Sequence, residues 1–157
     1  MSRRVVRTFI STTAVFVVAL AGCGPPAAAT PLAVASGSYT FIQTSTTHIR
    51  TAGGDSFDLQ VFSLTLVGGV AGVATDTQTA VTHADGSINA NGTEVCGSCT
   101  IGGRTGSYIA AYSVSMSVSG VVAGHLTFTS GSGGLAGLQG EGTFTADRYS
   151  YNYRFAT

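Results

Sequence analysis

No lysine and no tryptophan occur in this 157-residue sequence, and charged residues make up only 9% of it. Arg3, Arg4 and Arg7 cluster at the N-terminus. Four scattered arginines (Arg50, Arg104, Arg148 and Arg154) are left against seven acids. Neutralising phosphates takes clustered cations, so a nucleic-acid partner is excluded. No apolar stripe at helical spacing follows Ala33, which argues against a helical domain. His48, His83 and His125 fall on separate segments without the close spacing of a metal motif, so neither a metal nor a cofactor is expected.

The apolar run Phe9 to Leu20 is short; a helix that crosses a bilayer needs roughly 20 residues. Arginines before it and Leu20-Ala21-Gly22-Cys23 after it give the layout of a bacterial lipoprotein signal peptide, cleaved rather than retained. An ordinary secretory leader with an incidental Cys23 is the alternative, and Ser2-Arg3-Arg4 matches a twin-arginine signal only loosely. Residues 1–22 are thus expected to be removed and Cys23 to carry acyl groups. The protein would then sit on the extracytoplasmic side of the bacterial cell envelope, with the membrane as a partner through that lipid. No acid follows Cys23 to suggest retention at the inner membrane. Residues 23–35, with Pro25, Pro26 and Pro31 among small residues, read as an extended tether. Residues 36–157 form one domain.

What fills that domain is alternation broken by glycine turns. Hydrophobic residues reach 44%, which separates it from disorder. Expected strands are Ser38–Ile49, Phe57–Val67, Val70–His83, Ser87–Asn89, Thr93–Ile101, Ser107–Ser119, Val121–Thr129, Leu138–Ala146 and Tyr149–Phe155, with Ser87–Asn89 a short piece. Asp85-Gly86 and Asn91-Gly92 read as turns. Phe57, Leu59 and Val61 alternate in one phase and Phe62, Leu64 and Leu66 in the other, which suggests a bulge near Val61. About eight antiparallel strands with short connections favour an all-β closed barrel, whose closure removes both sheet edges. A β-sandwich is the rival architecture.

Cys96 and Cys99 lie outside the cytoplasm on this reading, where disulfides persist. On a straight strand their Cα atoms would be about 10 Å apart, beyond the roughly 7 Å limit for a bridge. They pair only if Gly97-Ser98 makes a turn or bulge. Reduced thiols or a redox-active pair remain open, although no helix follows to depress a thiol pKa.

The segment Gly131-Ser132-Gly133-Gly134-Leu135-Ala136-Gly137-Leu138-Gln139-Gly140-Glu141-Gly142 resembles the glycine-rich signature of the family called domain of unknown function 3224. Gly103-Arg104-Thr105-Gly106-Ser107 and the closing Tyr149-Ser150-Tyr151-Asn152-Tyr153 resemble two further elements of that family. The resemblance implies a small eight-stranded barrel similar to those of allene oxide cyclases and dirigent proteins. It implies no activity. Read physically, the glycines let the segment turn back, and Leu135 and Leu138 can tuck beneath it as a plug. A phosphate-binding loop is ruled out by the missing lysine, and no nucleophile elbow is matched.

Candidate chemistry is sparse. Glu141 could act as an acid or base at a barrel mouth with Arg104 beside it, or the two could simply pair. Tyr108 and Tyr112 share one strand face and Tyr149, Tyr151 and Tyr153 another. Pointing inward, they would either pack a core or line a ligand cavity. Three functions follow, in order. The first is a lipid-anchored module that binds a small apolar ligand or a partner. The second is a structural protein that forms homo-oligomers. The third, resting on fold analogy, is an isomerase or cyclase using Glu141 and Arg104.

Overall fold

The computed structural model describes residues 31–156. The leader, Cys23 and most of the tether lie outside them. Eight strands follow in order: β1 (Ala33–Ala52), β2 (Asp55–Gly68), β3 (Val70–Thr82), β4 (Ile88–Ile101), β5 (Arg104–Met116), β6 (Val122–Gly133), β7 (Leu138–Phe144) and β8 (Arg148–Phe155). Each pairs antiparallel with the next, and β8 returns to β1 to close the barrel. β1 begins at Ala33, ahead of the expected boundary at residue 36, because Ala33, Val34 and Ala35 already pair with Tyr153, Asn152 and Tyr151.

Side-chain size explains how the inward-facing residues fit around the ring. Along one ladder Gln78, Gly92, Tyr112, Leu126, Gly142 and Tyr151 succeed one another across β3 to β8. Each buried tyrosine lies beside a glycine, so large and small residues alternate around the interior. A Cβ at Gly92 would stand 2.5 Å from Cζ of Tyr112. Asn91-Gly92 is therefore no turn. β4 runs straight through it, and the expected pieces Ser87–Asn89 and Thr93–Ile101 are one strand. Asp85-Gly86 does turn, with the Gly86 N–H donating to the His83 carbonyl at 2.9 Å.

β2 also departs from expectation. It pairs with β3 without interruption through Val61, and the irregularity lies opposite, between Gln43 and Ser45 of β1. Phe62, Leu64 and Leu66 turn inward, with Leu64 and Leu66 in the buried core and Phe62 packed against it. Phe57, Leu59 and Val61 are the outward residues of the same strand, and Phe57 is covered by the Arg50 guanidinium at 4.0 Å. The change of phase records apolar residues on both faces.

The two barrel ends differ. At the end carrying the β2–β3, β4–β5 and β6–β7 connections, Leu135 and Leu138 of the glycine-rich segment are buried as a plug. The segment is tied by Gly134 N–H to Thr105 O at 3.0 Å and by Ala156 N–H to Gly137 O at 2.8 Å. Leu135 is fully enclosed. Leu135→Ala should cost roughly 2–5 kcal/mol, measured as a fall in the urea midpoint with m unchanged.

Cys96 and Cys99 form a disulfide with Cα atoms 5.9 Å apart. The β4–β5 register breaks between these two residues, so the bulge that pairing required is present at Gly97-Ser98. Both cysteines are wholly buried, a setting for a structural bridge rather than an exchanging one. Reducing so short a loop should cost about 2 kcal/mol on chain-entropy grounds. Thermal unfolding with and without reductant checks that figure.

Candidate functional site

Inward-facing side chains close the plugged end and leave a chamber at the other. Its volume is about 160 Å³. Tyr39 and Phe41 of β1, Phe62 of β2, Val114 of β5 and Phe144 of β7 form its walls, and Asp76, Gln78 and Tyr112 lie at its base. A narrower extension of about 30 Å³ continues inward past Tyr39, Asp76 and Tyr112 to Glu94, Leu126 and Tyr151. Phe144 meets Tyr39 and Tyr112 edge-on, with centroids 6.5 and 5.9 Å apart, so the aromatic walls brace one another.

Pairing puts the two acids together. Asp76 is the direct partner of Glu94 across β3 and β4. Both point inward because β3 buries Ala74 and Ala80 on that face and β4 buries Ala90 and Cys96. Glu94 is 3% exposed and accepts a hydrogen bond from the Tyr108 hydroxyl. Burial pushes the Glu94 carboxyl above its usual range, partly offset by that hydroxyl. Asp76 is pushed up too, by burial first and the Glu94 charge second, with Tyr112 opposing. Oδ1 of Asp76 is buried and has no hydrogen-bond partner among the described residues. The Tyr112 hydroxyl donates to Gln78 Oε1 at 3.0 Å, and Gln78 Nε2 donates to Gln60 Oε1 at 2.8 Å. Tyr39 is raised to about 12, by burial and then by the charges of Asp76, Glu94 and Asp147. The tyrosines here are therefore neutral hydroxyls near pH 7, able to orient a ligand but not to ionise.

All five tyrosines singled out from the sequence are buried, and they divide by depth. Tyr112 lines the chamber and Tyr151 its inner extension. Tyr108 is committed to Glu94. The Tyr149 hydroxyl accepts from Val70 N–H at 2.8 Å and lies within hydrogen-bond reach of the Val67 and Val70 carbonyls, so it serves the plugged end. Tyr153 packs edge-on against Phe155 there. Cavity lining and packed core are thus both realised, at opposite ends of one barrel.

Glu141 and Arg104 are not brought together. Gly140 and Gly142 oppose the inward residues Tyr153 and Tyr151, so strand alternation turns Glu141 outward, where its side chain is 68% exposed and 3.7 Å from His125. Arg104 stacks over Phe155 at 4.1 Å. An acid–base pair at the mouth built from these two residues does not exist. His48 and His83 pair with Asp58 and Asp55 at 2.9 and 3.0 Å. Among the described residues no group of three His, Cys, Asp or Glu could hold a metal ion.

The architecture has a match among solved structures. A protein with unknown function from the DUF3224 family, from Shewanella oneidensis MR-1, aligns with a TM-score of 0.63 over 80% of this chain and 98% of its own. This chain shares the fold of that protein. The resemblance read from Gly131–Gly142 is borne out at that level; the two sequences are 18% identical, so the likeness carries architecture alone. No family model and no curated protein matches the sequence. The chamber and its acids are features of this chain's own barrel.

Proposed function

We propose that the protein is a lipid-anchored cell-envelope module that takes a small apolar ligand into its barrel. The observation that carries this reading is the chamber: an interior left open at one end, walled by aromatic rings, with polar groups only at its base. Ligand sites are typically such concave, largely apolar pockets with a few convergent polar atoms. The N-terminal strand supports the anchoring half. β1 enters at the plugged end, opposite the mouth, so an anchor ahead of that strand is compatible with an open chamber.

Native mass spectrometry of the protein extracted from bacterial membranes tests both halves. The wild type should carry acyl mass at Cys23 and a bound small molecule, and Val122→Trp, which fills the mouth, should lose the small molecule and keep the acyl mass. Cys23→Ser should move the protein from the membrane to the soluble fraction. A wild-type chain that retains no small molecule and takes up no neutral apolar probe would overturn the ligand reading.

Self-association is the second reading. Past Tyr39, β1 pairs only with β2 among the described residues, leaving a strand edge, the feature through which sheets join. Ile42 and Ile49 on that strand and Leu59 beside it are exposed. Light scattering on the intact chain should then give a mass above the monomer, returned to the monomer by Ile42→Lys.

A further inference from the structure

Asp76 and Glu94 share the barrel interior at one register position. Cross-strand partners on one face hold their Cβ atoms about 4.5–5.5 Å apart, and two carboxylates that close in a poorly solvated interior do not both ionise. Burial raises both carboxyls, with the Glu94 charge adding to the shift of Asp76, so the pair resists full ionisation. A negative charge on the pair has no counter-ion among the described residues. Neither the chamber nor its inner extension is lined by an arginine or histidine, and the chain has no lysine. Arg50 and Arg104 lie over Phe57 and Phe155, and Arg148 and Arg154 are exposed. The unpartnered Oδ1 of Asp76 is an acceptor awaiting a donor.

Above this base the walls are rings. A chamber of about 160 Å³ is close to the roughly 150 Å³ that accommodates a benzene-sized molecule. Aromatic faces also attract cations, and Tyr39 and Tyr112 flank the approach to the acids. A ligand matching both halves has a compact apolar body at the mouth and a cationic N–H donor at the base.

Resting on the ligand reading above, we propose that the chamber selects a small protonated amine with an apolar body about one aromatic ring in size, its ammonium seated at Asp76 and Glu94. The ammonium supplies a counter-charge and donates to the Asp76 carboxyl. Its arrival favours the ionised form of the acids, so a proton held by the pair passes to solvent as the amine binds.

Calorimetry on the intact chain in detergent at pH 7 tests this with three probes: phenethylamine, 2-phenylethanol and 3-phenylpropionate. The amine should bind at least ten-fold more tightly than the alcohol, and the anion should not bind. The amine's heat should vary with the ionisation enthalpy of the buffer, the mark of a released proton, while the alcohol's should not. Asp76→Asn and Glu94→Gln, each confirmed folded by circular dichroism, should weaken the amine at least ten-fold and the alcohol by far less. Equal or tighter binding of the alcohol or the anion overturns the proposal while leaving the ligand reading standing, and so does amine affinity unchanged in both variants. Failure of all three probes overturns both.

Discussion

At pH 8 the Asp76→Asn variant will be more stable than the parent protein, and at pH 4.5 the difference will shrink or vanish. Asp76 and Glu94 both have carboxyls pushed up in the folded barrel, whereas in the unfolded chain they titrate near the ordinary value of about 4. Between that value and the raised one the folded state holds more protons than the unfolded state. Stability therefore falls as pH rises through this window, opposite to the usual behaviour of surface-paired carboxylates. The groups facing Asp76 are Glu94 on β4, Tyr112 on β5 and Tyr39 on β1, and the tyrosines stay protonated throughout. Below about pH 4 the sign reverses, because Asp58 and Asp85 are lowered by hydrogen bonds from His48 and Ser56 and from Ser87 and lose those contacts on protonation. The parent should be most stable in mildly acidic solution. An amide at position 76 removes both the buried charge and its repulsion of Glu94. The gain at pH 8 should be on the order of 1–3 kcal/mol, the cost of a buried polar group left without partners, or several degrees in Tm for a domain of this size. Thermal unfolding of both proteins from pH 4 to 9 decides it. A parent whose stability rises from pH 5 to 8 would mean that the acids are solvated and ionised, and the chamber would not be a charged, poorly hydrated site.

Much of this barrel was legible in the sequence because strand alternation is a local property. Tyr108, Ala110, Tyr112 and Val114 read as one face and are one face. Errors arose where one residue type serves two purposes. Asn91-Gly92 has the composition of a tight turn, yet Gly92 is small because Tyr112 lies across it, and only the β4–β5 register reveals this. Glu141 drew attention through its glycine neighbours, and those same glycines hold the inward positions and send it outside. The acids of the chamber are Asp76 and Glu94. Their signal was present: Asp76 is in phase with Ala74 and Ala80, and Glu94 with Ala90 and Cys96, a polar residue on an apolar face in each case. That the two meet is a fact of register between strands separated by a hairpin. The openness of one end was likewise not legible, since it depends on which aromatic rings meet across the barrel.

Gly92→Ala should be a costly addition of one methyl group to the interior, and its effect should depend on Tyr112. The new Cβ would lie 2.5 Å from Cζ and 2.6 Å from the hydroxyl of Tyr112, and 2.7 Å from the Thr77 carbonyl oxygen. The ring must swing toward the chamber, breaking its hydrogen bond to Gln78 and leaving its place above Asp76. Overpacking of this kind costs about 1–3 kcal/mol, with the broken hydrogen bond adding about 1 kcal/mol. Tyr112→Ala alone should cost roughly 3–5 kcal/mol, as for other large aromatics, and should enlarge the chamber. In the double variant the clash with the ring is gone and only the Thr77 carbonyl contact remains, so the combined cost should fall short of the sum by more than about 1 kcal/mol, beyond the scatter of independent sites. Urea titrations of the four proteins measure that coupling. Additive costs would show that the obstruction is the Thr77 carbonyl and not the ring. A positive coupling has a functional counterpart, because Tyr112 separates the wide chamber from its acid-lined extension. Gly92→Ala should then weaken binding of a ligand that reaches Asp76 even when enough folded protein remains to assay. One glycine on β4 thereby fixes the depth to which the barrel is open.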